Sequence, residues 1–412
     1  MTRKTRPWKI ASGVALVIVA AFGAAATAAK AEQKSVAVQH PKLLLNQAEI
    51  DGIKIKVRDH PWAARLLDLV KAKAEKDGAV TENALAYALT GEARYAANVR
   101  NRLLGEARDQ MPHYEKMDVI AEPEWGRWSW WGATAWAYDL VYGTFTTEER
   151  VEVERWLRMA GRTIIAQEKI HTTTPNLVFC EHWRVGMIGY CLGDAELIEW
   201  ALNDPGRHGP SRGGFYPVMD TMIRDEHFWA EAPIYALHYD VHGMFALAEA
   251  ALRHDGTDLY KYVSPKSGAS LKKIVDGYLR MAFHLERNGT EGGKIRLATF
   301  GDGSTGCLIN GRLDDTFLDE SFMAVVELAY KRFQDEGYAW MVSLDPKRKA
   351  YIRNGRPLAT LRSRMAKSCQ SNLRLRRRQV AFRVRSKINS DFAGGSLACW
   401  RGASDEHTRS GL

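Results

Sequence analysis

Cysteine is scarce in this sequence, with five residues in 412. An odd number leaves at least one thiol unpaired, so the count does not indicate a disulfide framework. We expect Cys180 and Cys191 to be able to pair in an oxidising compartment. The sequence has no CxxC or HExxH spacing. That absence argues against a structural zinc site, and we predict neither a metal nor a cofactor.

Alternation of apolar and polar residues, the pattern of half-buried strands, is also lacking, and no fixed-period repeat is present. Helical periodicity instead continues to about residue 340. It predicts helices over residues 60–77, from 81 onwards, 92–109, 130–142, 146–164, 183–192, 194–203, 231–253, 268–287 and 314–335. Paired amphipathic helices with short links indicate an all-α domain. A bundle, a solenoid and an (α/α) toroid all fit that description.

Residues 1–31 have the pattern of an export signal. A basic start is followed by an apolar stretch over 10–29, and Ala29 and Ala31 supply the small residues that a signal peptidase reads. An uncleaved membrane anchor is the alternative, because the stretch approaches the ~20 residues that span a bilayer. The small residues favour cleavage. We therefore predict a bacterial periplasmic or secreted protein with no stable membrane anchor.

The net charge of +9 is distributed unevenly. Residues 346–412 hold 17 basic and 3 acidic side chains, a balance of +14, which leaves −5 for residues 1–345. This basic segment has neither helical nor strand amphipathicity. It is either a solvated tail or the product of a truncated or out-of-frame coding end, so its charge does not predict a nucleic-acid partner.

The segment with the most candidates for chemistry is Thr172 to Asp255. It contains Asn176 and the run Glu181-His182-Trp183-Arg184. Further along, Glu231, Tyr235 and Tyr239 recur every four residues and share one face of a predicted helix, with His238 on a neighbouring face. A face with a carboxylate and two phenols is costly to bury without purpose. The alternative is an ordinary amphipathic helix whose hydroxyl groups reach solvent.

Several motifs together resemble the heparinase II/III-like and alginate lyase-type polysaccharide lyases. They are Pro41–Asn46, Ala135–Leu140 followed by Thr146–Arg150, the Asn/His segment over 176–183, and Glu-x-x-x-Tyr-x-x-x-Tyr over 231–239. The similarity covers about residues 40–335. It implies an incomplete (α/α) toroid over residues 40–345 whose cleft binds an acidic polysaccharide or oligosaccharide. It also implies cleavage of a uronic-acid polymer by β-elimination.

The resemblance also implies roles for individual residues. Asn176 would hydrogen-bond the uronate carboxylate, and His182 would do the same or act as the base. Tyr239 would be the acid/base, with Tyr235 as its close competitor. The residues that would bind substrate are Arg184, His238, Glu231, Trp125, Arg127, Trp128 and Trp131. The tryptophans among them could equally pack between helices.

The sequence departs from these relatives in two places. His182 is not adjacent to an asparagine, and the irregular basic segment over 346–412 stands where many relatives have a β-sandwich domain. A non-catalytic or inactive truncated glycan-binding protein is therefore an alternative. An (α/α)-barrel glycoside hydrolase is another, with acid and base drawn from Asp225, Glu231 and Asp302.

Overall fold

The computed structural model describes residues 39–115, 131–167, 175–206, 212–223, 229, 236, 240–284, 295–297 and 320–344. All of them belong to the first of two compact units, Met1–Ile352. The second unit, Arg353–Leu412, lies outside the described residues, as does the predicted export signal. The export signal, the tail and the domain boundaries therefore stay predictions.

The described chain is almost entirely helical, which confirms the predicted all-α class. The helices are α1 Gln47–Asp59, α2 Pro61–Asp77, α3 Val80–Thr90, α4 Ala93–Glu115, α5 Trp131–Val141, α6 Thr147–Gln167, α7 Pro175–Leu192, α8 Ala195–Asn203, α9 Phe215–Thr221, α10 Val241–His254, α11 Leu271–Met281, α12 Glu320–Phe333 and α13 Glu336–Leu344. Two antiparallel three-residue strands, β1 Ala282–His284 and β2 Ile295–Leu297, follow α11.

The predicted helices mostly match, with four differences. Helix α7 begins at Pro175 rather than at 183, and α9 and α13 were not predicted. The helix predicted over 268–287 is wrong after Met281, because Ala282–His284 pairs with Ile295–Leu297. That pairing depends on a partner segment distant in sequence, which helical periodicity does not report. The predicted cap of α6 is confirmed, since Thr146 and Glu149 each accept a hydrogen bond from the other's backbone N–H.

The helices pack in two rows. In the first row α3 packs on α5, α5 on α7, α7 on α10, and α10 on α12. In the second row α4 packs on α6, and ion pairs from Arg158 to Asp194 and from Arg162 to Glu196 link α6 to the start of α8. First-row helices are buried on several faces. In α10, for example, ten residues are buried. Two rows are what an (α/α) toroid requires, and closure into a ring stays a prediction.

The core between the rows is rich in aromatic side chains. Trp156, Tyr138, Tyr190 and Phe245 are among the largest fully buried ones. Burying a side chain of this size stabilises the fold by roughly 1.5–3 kcal/mol each. None of the described helices combines the length and apolar character needed to cross a membrane.

Candidate active site

Helix α7 carries the three predicted site residues whose side chains the structure describes. Asn176, Cys180 and Trp183 recur at helical spacing and share one face, with Arg184 at its edge. His182 lies about 120° around the helix from Asn176. Asn176 is buried, Arg184 is half-buried, and His182 is fully buried. The structure therefore brings Asn176 and Arg184 to one face of α7 and directs His182 to another.

His182 connects α7 to the end of α8. Its Nδ1 lies 2.7 Å from the Val178 carbonyl oxygen, and its Nε2 lies 3.4 Å from Oδ1 of Asp204. The ring stacks on Trp200, with 3.6 Å between the ring centroids. The other Asp204 oxygen accepts a hydrogen bond from Gly213 N, and a Cβ on Gly213 would overlap the His182 ring. Every described contact of this imidazole is thus to the protein interior.

Trp183 brings three helices together. A Cβ on Gly132, at the start of α5, would lie 2.4 Å from Cζ3 of the indole. A Cβ on Gly243, at the start of α10, would lie 2.3 Å from its Cδ1. Only glycine allows both helices to approach the ring this closely. The first turns of α5 and α10 therefore meet α7 at Trp183.

Ionisable groups beside Trp183 are strongly affected by burial. Burial raises the pKa of the Glu181 carboxyl to about 8, although the nearby Arg184 opposes the shift. Burial also raises the pKa of the Cys180 thiol to about 12, and the carboxylates of Asp240 and Glu181 add to that shift. At neutral pH the site thus contains a protonated glutamic acid and an unreactive thiol.

The remaining predicted site residues are outside the described residues. They are Trp125, Arg127, Trp128, Glu231, Tyr235, His238 and Tyr239, together with the side chain of Trp131. Asp225 and Asp302, proposed for a hydrolase, also lie outside them. Their roles stay predictions. In the sequence, residues 116–130 lead into α5 and residues 237–239 into α10, the two helices whose first turns meet Trp183.

Sequence reasoning gave no role to Trp183, His242 or Asp204. The ring of His242 meets Trp183 edge to face, with centroids 5.1 Å apart. Glycine inside a helical pattern signals a close approach, so Gly132 and Gly243 could have pointed to Trp183. Asp204 carries no such signal: it lies at the end of α8 in a left-handed backbone conformation, and its proximity to His182 is a contact between two helices.

Two of the motifs that carry the resemblance bind each other at a distance from this site. The Asp139 carboxylate accepts hydrogen bonds from the backbone N–H groups of Lys42 and Leu43, all at 2.9 Å. His40 Nδ1 lies 2.6 Å from the same carboxylate. Asp139 therefore attaches the segment before α1 to α5, which is a structural role.

His40, Asp139 and Cys191 also form a group of possible metal ligands in the described part of the chain, with donor atoms within 4.8 Å of one another. The backbone donors already occupy the Asp139 oxygens. Cys191 and Cys180 both remain thiols, so the expected disulfide is wrong. Eleven residues apart on one helix, they are separated by ~16 Å, well beyond the span of a disulfide.

Comparison with known proteins gives the family. The model of the alginate lyase family matches residues 28–285, which is more than half of the chain and includes α5, α7 and α10. The chain belongs to the alginate lyase family and thus to the polysaccharide lyases, as the resemblance implied.

A curated relative is the exo-oligoalginate lyase of Saccharophagus degradans (strain 2-40). It is 26% identical over 163 residues, which cover 36% of this chain and 21% of the relative. The chain thus matches about a fifth of the length of that enzyme.

Proposed function

We propose that this protein cleaves a uronic-acid-containing polysaccharide or oligosaccharide, of the alginate type, by β-elimination. The family match carries the proposal, because it spans the helix with Asn176 and Arg184 and the segment that ends in Tyr239. The name of the curated relative favours alginate oligomers as substrates. We also propose that the protein is exported, because residues 1–31 have the pattern of a signal peptide.

In the proposed reaction the uronate carboxylate is neutralised first, which acidifies the proton on C5. A base removes that proton, the bond from C4 to the glycosidic oxygen breaks, and a C4–C5 double bond forms. An acid protonates the departing oxygen. Asn176 is the proposed carboxylate partner. Its amide donates hydrogen bonds from a buried position on α7, where they are stronger than in water.

Tyr239 is the proposed acid/base, and Tyr235 is the competitor. A phenol with an ordinary pKa of about 10 serves in this role if neighbouring cations stabilise its ionised form. We prefer a tyrosine to His182 because the His182 ring is fully buried between Trp200 and Gly213. A base must come within hydrogen-bond reach of the proton that it removes.

The test is an assay of the mature protein on a panel of uronate polymers and oligomers, followed by the ultraviolet absorbance of the new double bond. We expect turnover on alginate-type chains. Tyr239→Phe should lower kcat by about a hundredfold or more, the usual loss on removing a general acid or base. Tyr262→Phe, at a partly buried tyrosine that packs on Tyr216, is the matched control and should leave kcat unchanged.

Two results would contradict this proposal. Full turnover by Tyr239→Phe would transfer the acid/base role to Tyr235. No absorbance rise with any polymer, from protein shown to be folded, would leave the glycan-binding alternative.

A further inference from the structure

Arg184 is a half-buried cation on α7 that has no acidic partner within ion-pairing distance among the described residues. Its Nε is buried and donates no hydrogen bond there. Buried arginines normally pair, since burying an uncompensated charge is costly. Arg253 and Arg332 follow that rule, because both bind the carboxylate of Glu249. Arg184 thus differs from the other buried arginines of the first helix row.

Trp183 holds the Arg184 guanidinium in place. The guanidinium carbon lies 5.3 Å from the centroid of an indole ring, a distance typical of a cation–π contact. Trp183 is only 8% exposed, with Gly132 and Gly243 against its ring. The indole is therefore covered by protein and cannot stack on a sugar. Its role is to position Arg184, with His242 beside it.

Glu181, one helical turn before Arg184, does not neutralise it at neutral pH. Burial holds the pKa of its carboxyl at about 8, so the group keeps its proton at pH 7. The positive charge of Arg184 is then available to an anionic ligand. A guanidinium is also the group best suited to bind a carboxylate through two parallel hydrogen bonds.

Arg184 is too far along α7 to share a carboxylate with Asn176. Eight residues separate them, which is a rise of ~12 Å along the helix and more than the length of one sugar ring. The contact with Trp183, one residue before it, keeps the guanidinium on its own turn. Two carboxylates, on different sugars of one chain, would therefore meet the two residues.

We infer that Arg184 binds the carboxylate of a uronate that neighbours the sugar being cleaved, with Trp183 as its positioning residue. This inference rests on the proposed function, in which Asn176 binds the reacting uronate. It makes Arg184 a specificity residue for a charged sugar at a second subsite.

Calorimetric titration tests the inference without turnover. An alginate tetrasaccharide and its carboxyl-reduced counterpart are titrated into Tyr239→Phe protein with Arg184 intact or replaced. We expect Arg184→Met to weaken binding of the tetrasaccharide about tenfold to a hundredfold, as expected for one lost charge-assisted pair. Binding of the reduced ligand should change less than about twofold. Arg184→Lys keeps the charge, so its affinity for the tetrasaccharide should lie between those of the protein with Arg184 and of Arg184→Met.

Arg162→Met is the matched control. Arg162 is an exposed arginine on α6 that pairs with Glu196, and its loss should not change either affinity. Equal affinities for the tetrasaccharide with and without Arg184 would overturn the inference. So would an equal loss with both ligands, since Arg184 would then only shape the site. Thermal unfolding of each variant separates these results from a folding defect.

A kinetic measurement on protein with Tyr239 intact distinguishes the second subsite from the reacting one. Arg184→Met should raise KM for the tetrasaccharide and leave kcat near its original value. A fall in kcat at constant KM would place Arg184 at the reacting carboxylate and overturn the inference. If no lyase activity exists at all, the proposed function fails, and the titration still reports whether Arg184 binds uronate carboxylates.

Discussion

At the scale of single residues, Glu181 shows how burial decides the protonation state of a group. Its carboxyl has a pKa of about 8 in the folded protein and an ordinary value near 4.5 when unfolded. Between these values the folded state holds a proton that the unfolded state has released. Stability therefore falls as the pH rises from about 4.5 to about 8, and levels off above that range.

Glu181→Gln should remove this dependence, because an amide has no proton to release. We expect urea midpoints of the variant to exceed those of the original protein increasingly from pH 5 to pH 8. The difference in unfolding free energy should reach at most about 5 kcal/mol, the equivalent of the pKa shift. Glu148→Gln is the control, since Glu148 is exposed and its pKa is lowered, not raised, by the hydrogen bonds that it accepts at the start of α6. Parallel curves of urea midpoint against pH for the original protein and Glu181→Gln would contradict the raised pKa of Glu181.

At the scale of helices, glycine sets how closely α5 and α10 approach α7. Gly243→Ala would place a methyl group against the Trp183 ring, and a packed indole between two helices has little room to move. We expect a loss of about 1–3 kcal/mol in unfolding free energy, as for other overpacked cores. The same variant should raise KM, because Trp183 positions Arg184.

Gly105→Ala is the matched control for that prediction. Gly105 is exposed on α4, and nothing lies within 4 Å of the position that an alanine methyl group would take there. Alanine favours helix over glycine by roughly 0.5–1 kcal/mol, so this variant should be as stable as the original or more so. Urea denaturation of both variants measures these changes in unfolding free energy. Equal stability of Gly243→Ala and the original protein would show that Trp183 can move aside.

At the scale of the whole helical unit, one buried ion network joins α1, α10 and α12. Glu249 on α10 binds Arg253, Arg332 and the Tyr260 hydroxyl, and Glu49 on α1 binds Arg253 and Lys331. Glu49 also completes the capping box that begins α1. The longest of these connections, from Glu49 to Lys331, joins residues 282 positions apart in sequence. Neighbouring cations hold the pKa of Glu249 well below its ordinary value, despite burial.

Glu249→Gln should remove the buried counter-charge of Arg332 and leave Arg253 with Glu49 as its remaining acidic partner. Breaking a buried pair by removing one partner costs about 3–5 kcal/mol, and we expect a loss of that size in urea denaturation at pH 7. Because the Glu249 pKa is lowered, its contribution is present above about pH 4.5 and is lost as the pH falls further. The exposed pair of Glu196 with Arg162 is the control, and Glu196→Gln should cost at most about 1 kcal/mol. A similarly small cost for Glu249→Gln would refute a stabilising role for the network.

The sequence by itself determined the all-α class, most helix boundaries and the cap of α6, because helical periodicity and capping depend on residues a few positions apart. It also carried the family resemblance in the order of its motifs. Only the tertiary structure decided that His182 lies beside Asp204, that Asp139 binds the backbone of the segment before α1, and that two glycines pack against the Trp183 ring. It also decided that Arg184 has no acidic partner within ion-pairing distance among the described residues, and it decided the raised pKa of Glu181. These features depend on contacts between segments far apart in the chain and on burial, which local sequence patterns do not encode.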